Sequence, residues 1–329
     1  MRAISPLLFQ LGLAATMLLG VNIAIARLSQ NTIPRQHLRA LERSHDNEVL
    51  FVGNSQMADA IHPEAFVTGW PGSHPLNMGI GATLPVEHLQ VLSASLDKVR
   101  PKIVCYGFFD LQLNSETRSN WQDVIGNRAL TYYVRPDIGA RNFDDNLWRK
   151  AVFRLIATAP LLRERSLLWA RVNALRADLA ALGMPHVKAQ RDDPNRRFAQ
   201  LETQLDVFTL RSRQVVADEA PMAWPVRDML QDLCDRQIPL YVVEMPIPSA
   251  HRRTYYETPA WAEYRAYVRQ RIAEKGGYFI EASAWVEDSG FADNLHLNKR
   301  GAADFSRRLA AFLANSTAAV TEPPSQSPQ

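Results

Sequence analysis

The hydrophobic pattern of the chain alternates between short continuous apolar runs and stretches of helical periodicity. Val49 to Val52 is the clearest run, four apolar residues in succession that lead directly into Gly53, Asn54 and Ser55. Runs without polar alternation mark strands buried on both faces, as in parallel sheets. Pro75 to Met78, Ile103 to Tyr106, Ile238 to Met245 and Tyr278 to Ile280 predict four further strands, and Pro246 and Pro248 stop the fourth. Between the runs, apolar residues recur every three or four positions. Val86, Leu89, Leu92 and Leu96 predict a helix entered at Pro85 behind a Thr83 cap, and Val226, Met229, Leu230 and Leu233 predict a second. Trp261, Tyr264, Val268 and Ile272 mark another helix, ended by Gly276 and Gly277, and Phe305, Leu309, Phe312 and Leu313 mark the last. Strands alternating with helices imply a parallel, three-layer α/β domain over residues 48–315.

Three stretches depart from that rhythm. Ala3 to Ala26 contains no charged residue and is long enough to cross a bilayer, for which ~20 apolar residues suffice. Ala24-Ile25-Ala26 fits a signal-peptidase site, so cleavage competes with retention as a signal anchor; the favoured reading is an anchor over residues 1–27. Residues 28–47 are polar, include Pro34 and read as a tether, and residues 316–329 read as a disordered Ser-, Thr- and Pro-rich tail. Between about 115 and 220 the alternation gives way to a helical insertion. There Leu147 to Ile156, and then Leu168, Val172, Leu175, Leu179 and Leu182, form apolar stripes split near Pro160 and flanked by arginines. Those stripes fit either packing on the core or a basic amphipathic surface on anionic lipid or a membrane partner.

Composition narrows the function classes. With 329 residues, 47% hydrophobic and 22% charged, the chain is an ordinary globular protein apart from its N-terminus. A net charge of +3, evenly spread, gives no basic face for nucleic acid. Cys105 and Cys234 lack Cys-x-x-Cys spacing and read as free thiols, and His62, His74 and His88 sit at no metal-ligand spacing. No cofactor is expected from these residues.

The candidate chemistry lies at two distant points. Ser55 would emerge at the carboxyl end of the first strand, where open α/β sheets place their ligands. Asp293 and His296 are three apart in a loop before the last helix, close enough for the carboxylate to hold one imidazole nitrogen while the other faces the crevice. A serine hydroxyl needs such a base, and the base needs an orienting group. Alone, Ser55 reads as a helix cap and His296 as an ordinary loop histidine.

Four blocks together carry a resemblance: Gly53-Asn54-Ser55, Asn77-Met78-Gly79-Ile80-Gly81-Ala82-Thr83, Gly107-Phe108-Phe109-Asp110 and Asp293-x-x-His296. In order and placement they resemble the SGNH (GDSL-type) hydrolase family. The resemblance implies a flavodoxin-like fold and acyl-ester chemistry through a serine ester, with no metal or organic cofactor. It assigns Ser55 as nucleophile, His296 as base, Asp293 as its partner and Gly81, or else Gly79, as backbone oxyanion donor. Asn54 stands where the family has Asp. The third block departs more seriously, because Phe109 stands where the family has an Asn oxyanion donor; Gln56 and Asn114 are the candidate substitutes. That departure and the anchor look like membrane-tethered SGNH-like proteins of cell-envelope polysaccharide O-acylation, which work beside a multipass membrane O-acyltransferase. The resemblance thus implies an O-acyltransferase or esterase acting on an envelope glycan from the outer side of the inner membrane, or a non-catalytic accessory subunit of such a system.

Overall fold

A computed structural model of the chain describes residues 6–28, 33–43, 48–114, 135–142, 147–164 and 205–321. In chain order its elements are α1 (Pro6–Leu28), α2 (Ile33–Leu41), β1 (Glu48–Val52), α3 (Ser55–Ala60), α4 (Pro63–Gly69), β2 (His74–Asn77), α5 (Pro85–Leu96) and β3 (Ile103–Phe108). They continue with α6 (Pro136–Arg141), α7 (Leu147–Thr158), α8 (Pro160–Arg163), α9 (Leu205–Ala217), α10 (Trp224–Asp235), β4 (Leu240–Glu244), α11 (Pro259–Ala273), β5 (Tyr278–Glu281) and α12 (Lys299–Thr321). The chain forms two compact units, Met1–Arg39 with Arg118–Gln190, and Ala40–Thr117 with Arg191–Gln329.

The second unit is built on a five-stranded sheet in the order β2-β1-β3-β4-β5, every pairing parallel. All five expected strands are present. The alternation of side chains along a strand sends Val49, Phe51, Ile103, Cys105, Tyr241 and Val243 to one face, where they meet Phe305, Leu309 and Leu313 of α12. Leu50, Val52, Val104, Tyr106 and Val242 point to the other face and are equally buried. Here the Tyr106 hydroxyl lies 3.1 Å from Nδ1 of His88 on α5, and α5 packs on α10. Burial on both faces is what the unbroken apolar runs require.

Local chemistry sets the ends of these elements. β4 is shorter than Ile238 to Met245 because Gln237 takes a left-handed conformation (φ 57°) that lets the Ile238 N–H close α10 on the Leu233 carbonyl. Thr83 does not cap α5. The helix opens after Leu84, whose N–H donates to the Glu87 carboxylate, while the Thr83 hydroxyl donates to the Ile80 carbonyl and lies 2.8 Å from His88 Nε2. Full burial pushes the pKa of His88 down to about 3.

In the first unit α1 is long and apolar enough to cross a membrane. The span expected to be a plain tether contains α2, and Leu41 at its end is buried. α8 begins at Pro160, where a break was expected after α7. Leu168, Val172, Leu175, Leu179 and Leu182 lie outside the described residues. α12 runs to Thr321, into the expected tail; the Ser316 and Thr317 hydroxyls donate to the Phe312 and Leu313 carbonyls one turn back.

Candidate active site

Strand order reverses its direction of growth between β1 and β3, so the crevice above their carboxyl ends is the natural place for a ligand. Gly107 carries no side chain at the end of β3. A Cβ built on Gly53 would stand 2.9 Å from the Gly107 carbonyl, so the two strand ends approach closely. Asn54 then caps α3 by accepting the Gln56 N–H at 2.9 Å, and its own amide contacts Gln112 at 3.4 Å. Ser55 is thereby fixed as the first residue of α3, with its N–H lacking a partner within the helix.

The other half of the site is the loop before α12. Ala292 N–H donates to the His296 carbonyl, Asn298 N–H to the Gly290 carbonyl, and Phe291 and Leu297 form an antiparallel bridge. Asn298 donates its amide to Ser289 and Phe291 and caps α12 by accepting the Gly301 N–H at 3.0 Å. Gly301 has to be glycine, since a Cβ there would lie 2.0 Å from the Gly290 carbonyl oxygen. Buried Leu297 roots the loop in the core. The run from His296 to Gly301 is therefore a mechanical clamp on the loop.

This clamp brings three predicted residues together. Asp293 Oδ1 accepts the backbone N–H groups of Leu295 and His296, each at 2.8 Å, and its Oδ2 lies 2.9 Å from His296 Nδ1. His296 Nε2 lies 2.8 Å from the Ser55 hydroxyl. A carboxylate facing Nδ1 keeps the proton there and leaves Nε2 to accept from serine. Partial burial raises the pKa of Asp293, but the bonds from His296 and from the two backbone N–H groups outweigh it and hold the carboxyl below its usual range. The arrangement can move a proton from the hydroxyl to the imidazole and stabilise the resulting cation.

The predicted oxyanion groups separate clearly. Met78 N–H donates to the Phe51 carbonyl and Ile80 N–H to the Gly53 carbonyl, which extends the β1–β2 pairing and carries Gly81 to Ser55. A Cβ on Gly81 would stand 3.7 Å from Ser55 Cβ. Gly79 is no donor, because its N–H is spent on Asn77 Oδ1 and a Cβ there would press 2.5 Å from the Ala58 nitrogen. Asn114 is no substitute for the missing donor either. Its amide donates to the Ala220 and Pro221 carbonyls and its oxygen accepts from Tyr264. With Leu111, Arg211, Gln214, Val215 and Asp218 it lines a separate cavity of about 500 Å³. Gln56 donates to the Leu295 carbonyl at 3.3 Å, so it ties Ser55's helix to the histidine loop instead of facing the crevice.

Asp110, after β3, stands in a left-handed conformation (φ 48°). Its carboxylate is held by His251 Nε2 and the Tyr256 hydroxyl, both at 3.1 Å, and its N–H donates to that hydroxyl. It buttresses the loop that displays Phe109. His62 caps α4, accepting the Ala65 N–H at Nδ1. Among the described residues no group of His, Cys, Asp and Glu is placed to hold a metal ion.

No family model matches the chain, and no curated protein does. Among solved structures, one provisionally described as a platelet activating factor from Streptococcus pneumonia aligns over 92% of this chain and 99% of its own, at 12% identity and a TM-score of 0.38.

Proposed function

We propose that the chain is a membrane-anchored serine acyl-ester enzyme with a flavodoxin-like, SGNH-type arrangement, acting as an O-acyltransferase or esterase on an envelope glycan. The observation that carries this reading is the 2.8 Å contact between the Ser55 hydroxyl and His296 Nε2, with Asp293 behind the same ring. In the reaction Ser55 Oγ attacks the acyl carbonyl as His296 takes its proton. The carbonyl oxygen becomes an oxyanion facing the backbone N–H groups of Ser55 and Gly81. Collapse of the tetrahedral species expels the donor alcohol, which takes the proton from His296 and leaves an acyl-serine. Water or a sugar hydroxyl then attacks that ester as His296 takes its proton, and collapse breaks the acyl–Oγ bond, with His296 returning the proton to Ser55 as the acid or the acylated sugar leaves. No metal or organic cofactor enters these steps.

Anchoring through α1 supports the transferase version, since it holds the catalytic unit near a membrane-bound donor such as the product side of a multipass O-acyltransferase, and so raises effective concentration. A second reading, a non-catalytic accessory subunit of such a system, is favoured by one observation: Asn114, a candidate to replace the Asn donor that the resemblance puts where Phe109 stands, is tied elsewhere. Hydrolysis of p-nitrophenyl acetate by the wild-type protein, Ser55→Ala and His296→Ala separates the two. Turnover that either substitution abolishes supports the enzyme; equal rates in all three support the subunit.

A further inference from the structure

In the second unit α9 carries a buried stripe and, beside it, a polar one. Phe208 stacks on Trp261, and Ser212 is buried with its hydroxyl donating to the Phe208 carbonyl. Arg211, Gln214 and Asp218 follow one another at spacings of three and four, so they form a second stripe, and all three are exposed. Among the described residues none of these three side chains is hydrogen-bonded or ion-paired. Asp218 stands moreover at the carboxyl end of α9, where a carboxylate is disfavoured, while its neighbour Glu219 is paired with Arg271 at 3.5 Å. The stripe therefore contributes little to holding the helix in place.

It lines a cavity of about 500 Å³, whose remaining surface comes from Val215, Leu111, Asn114 and Ala220. That surface is fixed before any ligand arrives. Asn114 is tied to Ala220, Pro221 and Tyr264, the Tyr267 hydroxyl donates to the Ala220 carbonyl at 2.8 Å, and the Ala223 N–H donates to the Leu113 carbonyl at 2.7 Å. A preformed hollow of this size with convergent polar groups is what a small-molecule site requires. The same turn after β3 sends Gln112 to Asn54, the cap of Ser55's helix, so the cavity and the candidate active site share a wall.

The lining sets the class of ligand. Arg211 offers a forked donor that matches a carboxylate. Two helical turns away, about 10 Å along the axis, the Asp218 carboxylate accepts hydroxyl donors and repels a second anion, and Gln214 between them both donates and accepts. Leu111 and Val215 supply small apolar patches for C–H groups, and the described lining carries no aromatic ring on which a base could stack. We propose that this cavity binds an acidic sugar, a single saccharide unit whose carboxylate meets Arg211 and whose hydroxyls meet Gln214 and Asp218. That the sugar is a unit of the glycan on which Ser55 acts rests on the function proposed above; the binding itself does not.

The test is a titration by saturation-transfer NMR of the full chain in detergent micelles, with sodium D-glucuronate, D-glucose and sodium acetate as probes and Arg211→Gln and Asp218→Ala as variants. Both side chains are exposed and unpartnered among the described residues, so the variants should melt like wild type. Glucuronate should bind more tightly than glucose or acetate. Arg211→Gln should weaken glucuronate by about tenfold or more, the loss expected when a hydrogen-bonded charge pair is removed, and leave glucose unchanged. Asp218→Ala should weaken glucose. Failure of glucuronate to bind the wild-type protein, or binding that Arg211→Gln leaves unchanged, overturns the proposal, as does glucose or acetate binding as tightly as glucuronate. Fluorophosphonate labelling of Ser55 in the same samples keeps the two readings apart. A labelled protein that binds no glucuronate loses only the cavity, and an unlabelled one that binds it keeps the cavity and loses the enzyme.

Discussion

Gly301→Ala tests whether the clamp before α12 sets the reactivity of a serine distant in sequence. An alanine Cβ would sit 2.0 Å from the Gly290 carbonyl oxygen, against 3.4 Å for ordinary contact, so one backbone must retreat by about 1.4 Å. Neither side is free to absorb the shift alone. Gly290 holds Asn298 through the Asn298 N–H, and Asn298 caps α12 at Gly301. The displacement therefore passes into the loop that carries His296, and a misplacement of about 1 Å at a reacting group costs on the order of 10² in rate. Overpacking should cost about 1–3 kcal/mol in stability as well. Second-order labelling by a fluorophosphonate, read below the melting transition, isolates the reactive serine. The control is Gly277→Ala, whose Cβ would press 2.8 Å from Ile272 Cγ2 far along the chain from the clamp. Gly301→Ala should label about a hundredfold more slowly while Gly277→Ala labels like wild type. Labelling of Gly301→Ala within threefold of wild type, with the fold intact, would refute the clamp.

Further outcomes follow from the same contacts. Asp293→Asn removes the group that orients His296 and should lower p-nitrophenyl acetate turnover by on the order of 10⁴, with little change in melting temperature because the side chain is substantially exposed. Asn114→Ala should leave serine labelling unchanged, since its amide serves Ala220, Pro221 and Tyr264; a tenfold loss would restore it as an oxyanion donor. His88 stays neutral in the fold down to about 3, while the unfolded chain takes a proton below about 6.5. Its contribution to stability is therefore whole above 6.5 and declines as pH falls through that window, at about 1.4 kcal/mol per unit. Urea titrations between pH 7 and pH 4 should show this slope in wild type and a shallower one in His88→Gln; equal slopes would contradict it.

The parts of the molecule legible in the sequence are those set by single-residue chemistry and burial. An unbroken apolar run such as Val49 to Val52 has one comfortable place, a strand covered on both faces, and β1, β3 and β4 are buried throughout, while the edge strands β2 and β5 are only partly covered. The nearness of Asp293 to His296 was legible because it is local. What could not be read was any choice between neighbours that tertiary contacts decide. Gly79 and Gly81 look alike until Ala58 presses on one and Ser55 on the other. Thr83 has the chemistry of a cap, but a buried histidine drew its hydroxyl away. Gln56 and Asn114 were plausible donors by type, and partners far along the chain had already claimed both. α2 escaped notice because Pro34, which stands in its first turn, read as the mark of a tether.

The central claim is that Ser55 is activated, and mass spectrometry of the fluorophosphonate-treated protein addresses it directly. The account predicts a single phosphonylated serine at position 55, absent in Ser55→Ala and at least a hundredfold slower to form in His296→Ala. A wild-type protein whose Ser55 peptide stays unmodified, or is modified equally fast without the imidazole, would contradict it.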